Sequence, residues 1–173
     1  MSFNDFVDEL GVTNFTAAEI LAKTDRPGNS IPPEDIWDNI APTILLIQMV
    51  RTHFNRAITF NSVYRSEAYN KTIPKSAKRS QHVAFSAVDF TTSNRDLLDD
   101  IFRFLDSIRG AWIDVPRRYY YTPVYVDDVE VPNQPREWRL QGQRHQYRFK
   151  GGLELYNSFI HIDTRGYNAT WNP

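Results

Sequence analysis

The 173-residue chain contains no cysteine. Disulfide staples, thiolate metal sites and cysteine nucleophiles are thereby excluded, and any metal must sit on His, Asp or Glu. Long apolar runs are also absent. The longest aliphatic run, Ile44 to Ile47 between Thr43 and Gln48, falls far short of the roughly 20 residues that cross a bilayer, so no membrane span is expected. The first ten residues hold Asp5, Asp8 and Glu9 but no Lys or Arg. That is the reverse of a cationic secretory leader, and no signal peptide is expected. Histidine is scarce, with four in all: His53, His82, His145 and His161.

What is present suits one folded domain. Hydrophobic residues make up 41% and aromatics 14%, enough apolar surface to offset chain entropy. The net charge of -1 conceals an uneven distribution. Between Met1 and Asp38 eight acidic residues face only Lys23 and Arg26, whereas Arg51 to Ser80 carries seven basic residues against Glu67 alone. Such a basic stretch either attracts an anionic polymer, nucleic acid or cell-wall glycopeptide, or is a solvated face.

Thr16 and Glu19 have capping-box spacing, which predicts a short helix from Thr16 to Lys23. A loop rich in Pro and Gly follows from Arg26 to Pro33. Ile36, Ile40, Ile44 and Ile47 then form a helical stripe running to about Phe54, which Pro42 must kink or split. A strand is expected over Ala57 to Tyr64, a polar loop over Arg65 to Arg79, a second strand over Ala87 to Phe90, and an amphipathic helix from Asn94 to Arg109 ended by Gly110. Tyr119 to Val126, Glu137 to Phe149 and Leu153 to Asp163 all read as strands. Helices lead and strands follow, so the fold class is α+β with an antiparallel sheet and helices packed on one side.

His53 and His145 sit among arginines and read as surface or boundary residues. His82 and His161 differ. His82 precedes Asp89 by seven residues, and Asp89 lies between Val88 and Phe90, where a carboxylate is costly to bury without a compensating partner. Around His161, period-two alternation turns Ile160 and Ile162 to the core and Phe159, His161 and Asp163 to the other face. Two histidines and a carboxylate suffice for a zinc ion with an open position, and equally for a hydrogen-bonded structural cluster.

The stretch Ser62-Val63-Tyr64-Arg65-Ser66, then Glu67 to Asn70, then Ser80 to Phe90 resembles the SGYRS and SxHxxGxAxD pattern of the zinc D-Ala-D-Ala carboxypeptidase and murein endopeptidase superfamily, which has the Hedgehog/DD-peptidase fold. Gly151 to Trp171 resembles the ending of a branch found among phage endolysins. The resemblance implies that His82, Asp89 and His161 are ligands of Zn2+, that Arg65 binds the substrate carbonyl or developing oxyanion, and that Ser80 lies beside the metal and contacts substrate. The chain then divides into a helical part (1–56), a first ligand block with its helix (57–111), a strand-rich insertion (112–150) and the last ligand strand with the C-terminus (151–173).

Val63, Phe85 and Glu154 stand where that superfamily places glycine, and Phe85 and Glu154 are expected to reshape or narrow the cleft. Relatives carry an acid or histidine two or three residues before the last ligand, where this chain has Ser158 and Phe159. Asp163 is therefore read either as general base or as the group that orients an imidazole ligand, with Glu154 a lesser candidate base. The implied activity is a zinc metallopeptidase cleaving peptidoglycan stem or cross-bridge peptides. It would act on the cell wall from the host cytoplasm before lysis or from a virion, and the alternative is a virion structural or decoration protein that keeps the fold without turnover. The peptidase motif accounts for Tyr64, Arg65 and Ser66, so nucleic acid is not an expected partner.

Overall fold

Alternating apolar and polar side chains along a few short strands decide the architecture, which a computed structural model describes for residues 1–171. In chain order the elements are α1 (Phe3–Leu10), α2 (Ala17–Ile20), a 3-10 helix (Glu34–Asn39), α3 (Ala41–Phe54), β1 (Thr59–Ser62), α4 (Glu67–Thr72), β2 (Ala87–Thr91) and α5 (Arg95–Ser107). They continue with β3 (Trp112–Val115), β4 (Tyr125–Val126), β5 (Val129–Glu130), β6 (Trp138–Gln141), β7 (Arg144–Arg148), β8 (Leu153–Leu155) and β9 (Ile160–Asp163). The fold is mixed α+β with antiparallel sheets.

The main sheet runs β1-β2-β9-β8. Its register aligns Phe60, Phe90, Ile160 and Leu155 in one row and Val88, Ile162 and Leu153 in another. Both rows belong to the hydrophobic core, with α3 against β2 and α5 against β8. The opposite face carries a polar row: Ser62, Asp89, His161 and Glu154. An irregularity in β1 between Phe60 and Ser62 brings Ser62 opposite Asp89; such a bulge re-aims a side chain without breaking the sheet.

Pro42 divides the isoleucine stripe into the 3-10 helix and α3, taking a first-turn position where its missing N–H costs nothing. Three expectations change. The polar loop after Arg65 contains α4, whose N-cap Ser66 accepts from the Tyr69 amide and whose Glu67 pairs with Lys71 at 2.6 Å. Residues Tyr119 to Val124 are not a strand, because the amides of Tyr120 and Thr122 are taken by the side chains of Asp38 and Asn39. Helix α1, closed by a Ser2–Asp5 capping box, has no counterpart among the expected elements.

Helix α1 explains Phe85. That residue has φ +54°, a left-handed conformation natural to glycine. Its ring nevertheless is fully buried, 6.2 Å from Phe3 and 5.6 Å from Tyr64. Phe85 therefore does not narrow the cleft; it points the other way and anchors α1.

Segment 112–150 shares the core. β3, β7 and β6 form a second sheet, and Tyr119, Tyr147 and Phe149 lie in the main apolar cluster. Buried Arg136 donates to the Asn39 carbonyl (2.6 Å), the Thr164 carbonyl (3.1 Å) and Thr164 Oγ1 (3.0 Å), tying this segment to the end of β9.

Phe85→Gly relieves the left-handed backbone but deletes a buried ring. It should destabilise the fold by about 2–4 kcal/mol, less than loss of the ring alone would. A urea unfolding curve measures this, and a stabilised variant would show that backbone strain outweighs the packing.

Candidate metal centre

Asp89 occupies the centre of β2, paired on one side with Ser62 and on the other with His161. His82 arrives from a turn held by Ser80, whose Oγ accepts from the His82 amide at 3.2 Å and whose carbonyl accepts from Val83 and Ala84. The potential ligand atoms of His82, Asp89 and His161 lie within 4.8 Å of one another, and all three residues are buried.

The hydrogen bonds define which atoms converge. The Val63 carbonyl lies 2.9 Å from His82 Nδ1. A carbonyl only accepts, so Nδ1 carries the proton and Nε2 exposes a lone pair. That Nε2 is buried without a hydrogen-bond partner and lies 3.2 Å from Asp89 Oδ1. Two acceptors at that distance repel unless a cation sits with them. His161 Nδ1 is 2.8 Å from the same oxygen, while its Nε2 is 3.0 Å from Asp163 Oδ2. His82 Nε2, His161 Nδ1 and Asp89 are thus the atoms that face one another, and two imidazoles with a carboxylate suit a zinc-like ion.

Charge follows the same geometry. Burial opposes ionisation of Asp89, but the hydrogen bond and positive charge of His161 outweigh it and hold the carboxyl far below the usual range. Burial likewise opposes an imidazolium at His161, yet its bonds to Asp163 and Asp89 win and raise it to about 9. Burial depresses His82, which stays neutral with its lone pair available.

Arg65 donates from Nε to Ser62 Oγ (2.9 Å) and from Nη2 to Asp89 Oδ2 (3.1 Å). It lines a cavity of about 560 Å³ over the three ligands, together with Ser80, Arg79, Tyr156, Arg165 and Trp171. Ser80 thus borders the cavity while its polar atoms hold the His82 turn.

Asp163 lies behind His161. It is fully buried and accepts from the Gly152 amide (2.9 Å), the Arg165 amide (3.2 Å) and the Arg165 guanidinium (2.9 and 2.6 Å). Gly151 and Gly152 make this seat possible: a Cβ at Gly151 would come within 1.7 Å of the Asp163 carbonyl oxygen, and one at Gly152 within 2.4 Å of Asp163 Oδ2. Glu154 is buried, neither exposed nor narrowing the cavity. Its Oε2 accepts from the Trp171 amide at 3.1 Å, while the Trp171 indole donates to Tyr156 and stands edge-on to His161. His53 stacks on Phe104, far from this chemistry in role, and His145 lies in β7.

A family model described as Peptidase M15 matches residues 13–118, more than half of the chain. The matched span includes Arg65, Ser80, His82 and Asp89 and ends before His161, which β9 brings to Asp89 through strand pairing. No curated protein and no solved structure compared with the chain matches it.

Metal uptake must displace the proton on His161 Nδ1. Protons compete below the metal-free value of about 9, so apparent Zn2+ affinity should rise roughly tenfold per pH unit from neutral pH and level off above that value. Competition titration against a chelator reads this slope, and a flat affinity profile across that range would contradict it.

Proposed function

Because the chain belongs to the peptidase M15 family, we propose that it is a zinc-dependent hydrolase of peptidoglycan stem or cross-bridge peptides. The observation that carries this reading is the unpartnered lone pair of His82 Nε2 directed at Asp89 beside His161 Nδ1. A zinc ion bound there supplies a Lewis acid that polarises the scissile amide and lowers the pKa of water toward about 7.

The remaining work falls to side chains. Arg65, held by Ser62 and Asp89, offers guanidinium N–H groups to the carbonyl oxygen as it gains negative charge. Lys75 and Arg79 line the same cavity and favour a peptide carrying carboxylates, as stem peptides do. Tyr156 and Phe159, stacked at 4.5 Å, give the peptide an apolar wall. Asp163 is assigned to orienting His161 through Nε2: it has no opening to the cavity and its oxygens are already shared among four donor groups. The likeness of Gly151 to Trp171 to lysin sequences supports a phage protein acting on the wall after release at lysis or from the virion.

One observation favours a second reading, a virion structural or decoration protein that keeps the fold. Apart from Asp89, no carboxylate lines the cavity over the ligands among the described residues. Incubation with purified peptidoglycan, with and without chelator, separates the two. Soluble muropeptides that disappear on chelation support the hydrolase, and zinc-dependent binding without release supports the second reading.

Asp163→Asn tests the assignment of that residue. It should weaken zinc affinity by about 10- to 100-fold and recover activity in excess zinc. Unchanged affinity with turnover lost at saturating zinc would make Asp163 the general base instead.

A further inference from the structure

Next to the metal cavity lies a second one of about 300 Å³, which shares Arg65, Ile73, Asp89 and Phe159 with it. Its far wall comes from the turn after α2, where Lys23 and Arg26 reach in. We propose that Lys23 and Arg26 form an anion-binding subsite that selects peptides carrying a free carboxylate on this side of the metal centre. The proposal rests on the hydrolase reading above and names a feature of its substrate.

Charge placement is the first argument. The region Met1 to Asp38 is strongly acidic, with Lys23 and Arg26 as its only basic residues. Neither forms an ion pair with a carboxylate among the described residues, and the Arg26 guanidinium donates to the Tyr69 hydroxyl at 3.3 Å. Elsewhere Lys71, Lys78 and Lys150 each meet a carboxylate, at 2.6, 2.5 and 2.5 Å. Among the described residues the only acid lining the second cavity is Asp89, whose oxygens are already engaged by Arg65 and His161. Lys23 and Arg26 therefore line a cavity, beside the ion-paired Arg65, that offers no free anion to neutralise them. Burial, with a smaller contribution from the neighbouring Arg26, lowers the Lys23 ammonium below its usual value.

Construction is the second argument. Lys23 has φ +71°, a left-handed conformation that a lysine adopts only when its surroundings enforce it. Asn29 enforces it. Its amide donates to the Lys23 carbonyl and to the Tyr64 carbonyl, both at 3.2 Å, and its Oδ1 accepts from the Ser66 amide at 2.8 Å. Ser66 Oγ in turn donates to the Gly28 carbonyl at 3.1 Å. The turn is thus bolted to the residues on either side of Arg65, and the two cations hold a set position relative to it. A carboxylate entering the cavity meets the planar fork of Arg26 and the ammonium of Lys23 without any rearrangement of the loop.

The test uses the zinc-loaded full chain and two synthetic stem peptides, identical except that the glutamyl residue carries a free carboxylate in one and a carboxamide in the other. Cleavage is followed by chromatography, binding by calorimetry, and folding of each variant by thermal melting. The wild type should favour the acid over the amide by about tenfold or more in KM and Kd. In Lys23→Ala/Arg26→Ala, and in the bulkier Lys23→Gln/Arg26→Gln, that preference should collapse to within about twofold. A variant that keeps the preference, or a wild type that treats both peptides alike, overturns the subsite and leaves the hydrolase reading intact. A wild type that cleaves neither peptide yet binds the acid preferentially, with the preference lost in the variants, upholds the subsite and overturns the hydrolase reading. A wild type that neither cleaves nor binds overturns both.

Discussion

Asp89 is the constraint around which the molecule is arranged. A carboxylate in the middle of a sheet strand, between two core residues, is tolerable only when every oxygen is answered by a donor or a cation. Two neighbours of Asp89 meet that demand, Arg65 from the segment after β1 and His161 from β9, and strand pairing keeps His161 in register with it. One contact stays unresolved by protein atoms alone, the His82 lone pair facing an Asp89 oxygen. The rest of the site is understood most directly as a frame that keeps this contact in place for a metal ion.

That frame extends well behind the ligands. Asp163 restrains the ring of His161, Arg165 and the Gly152 amide restrain Asp163, and the absence of side chains at Gly151 and Gly152 lets the strand approach closely enough for it. On the other flank, Thr43 donates to the Ser86 carbonyl and meets Thr164, which also receives Arg136. Segment 112–150 is joined to the ligand strand through these bonds, so the second sheet supports the centre as well as extending it. Buried polar networks of this kind are stable only when nearly all members are satisfied, and they favour one arrangement over its alternatives.

Much of this was legible in the residues. The alternation Phe159 to Asp163 separates the core face of β9 from its polar face, and the isolation of Asp89 between Val88 and Phe90 marks a charge in need of partners. The stripe interrupted by Pro42 locates α3. What the residues did not reveal depends on contacts distant in sequence. Phe85 looked like an obstruction because a glycine position filled by a large ring has two possible directions, and only α1, itself concealed behind an acidic segment, decides between them. The polar composition of Glu67 to Thr72 masked a helix started by Ser66. The place of Asp163 could not be chosen from its neighbours in sequence, since it depends on Gly152 across the β8–β9 pair. Lys23 and Arg26 were hidden for a similar reason: an acidic stretch gives no sign that its two cations turn away from it.

His82 Nε2, His161 Nδ1 and Asp89 form the group proposed to hold one zinc ion. Anomalous diffraction from crystals of the purified chain, recorded on either side of the zinc absorption edge, tests it most directly. One strong anomalous peak is expected within about 2.0–2.3 Å of those three ligands. A chain that crystallises after zinc addition with no peak there, or with zinc bound by other residues, would contradict it.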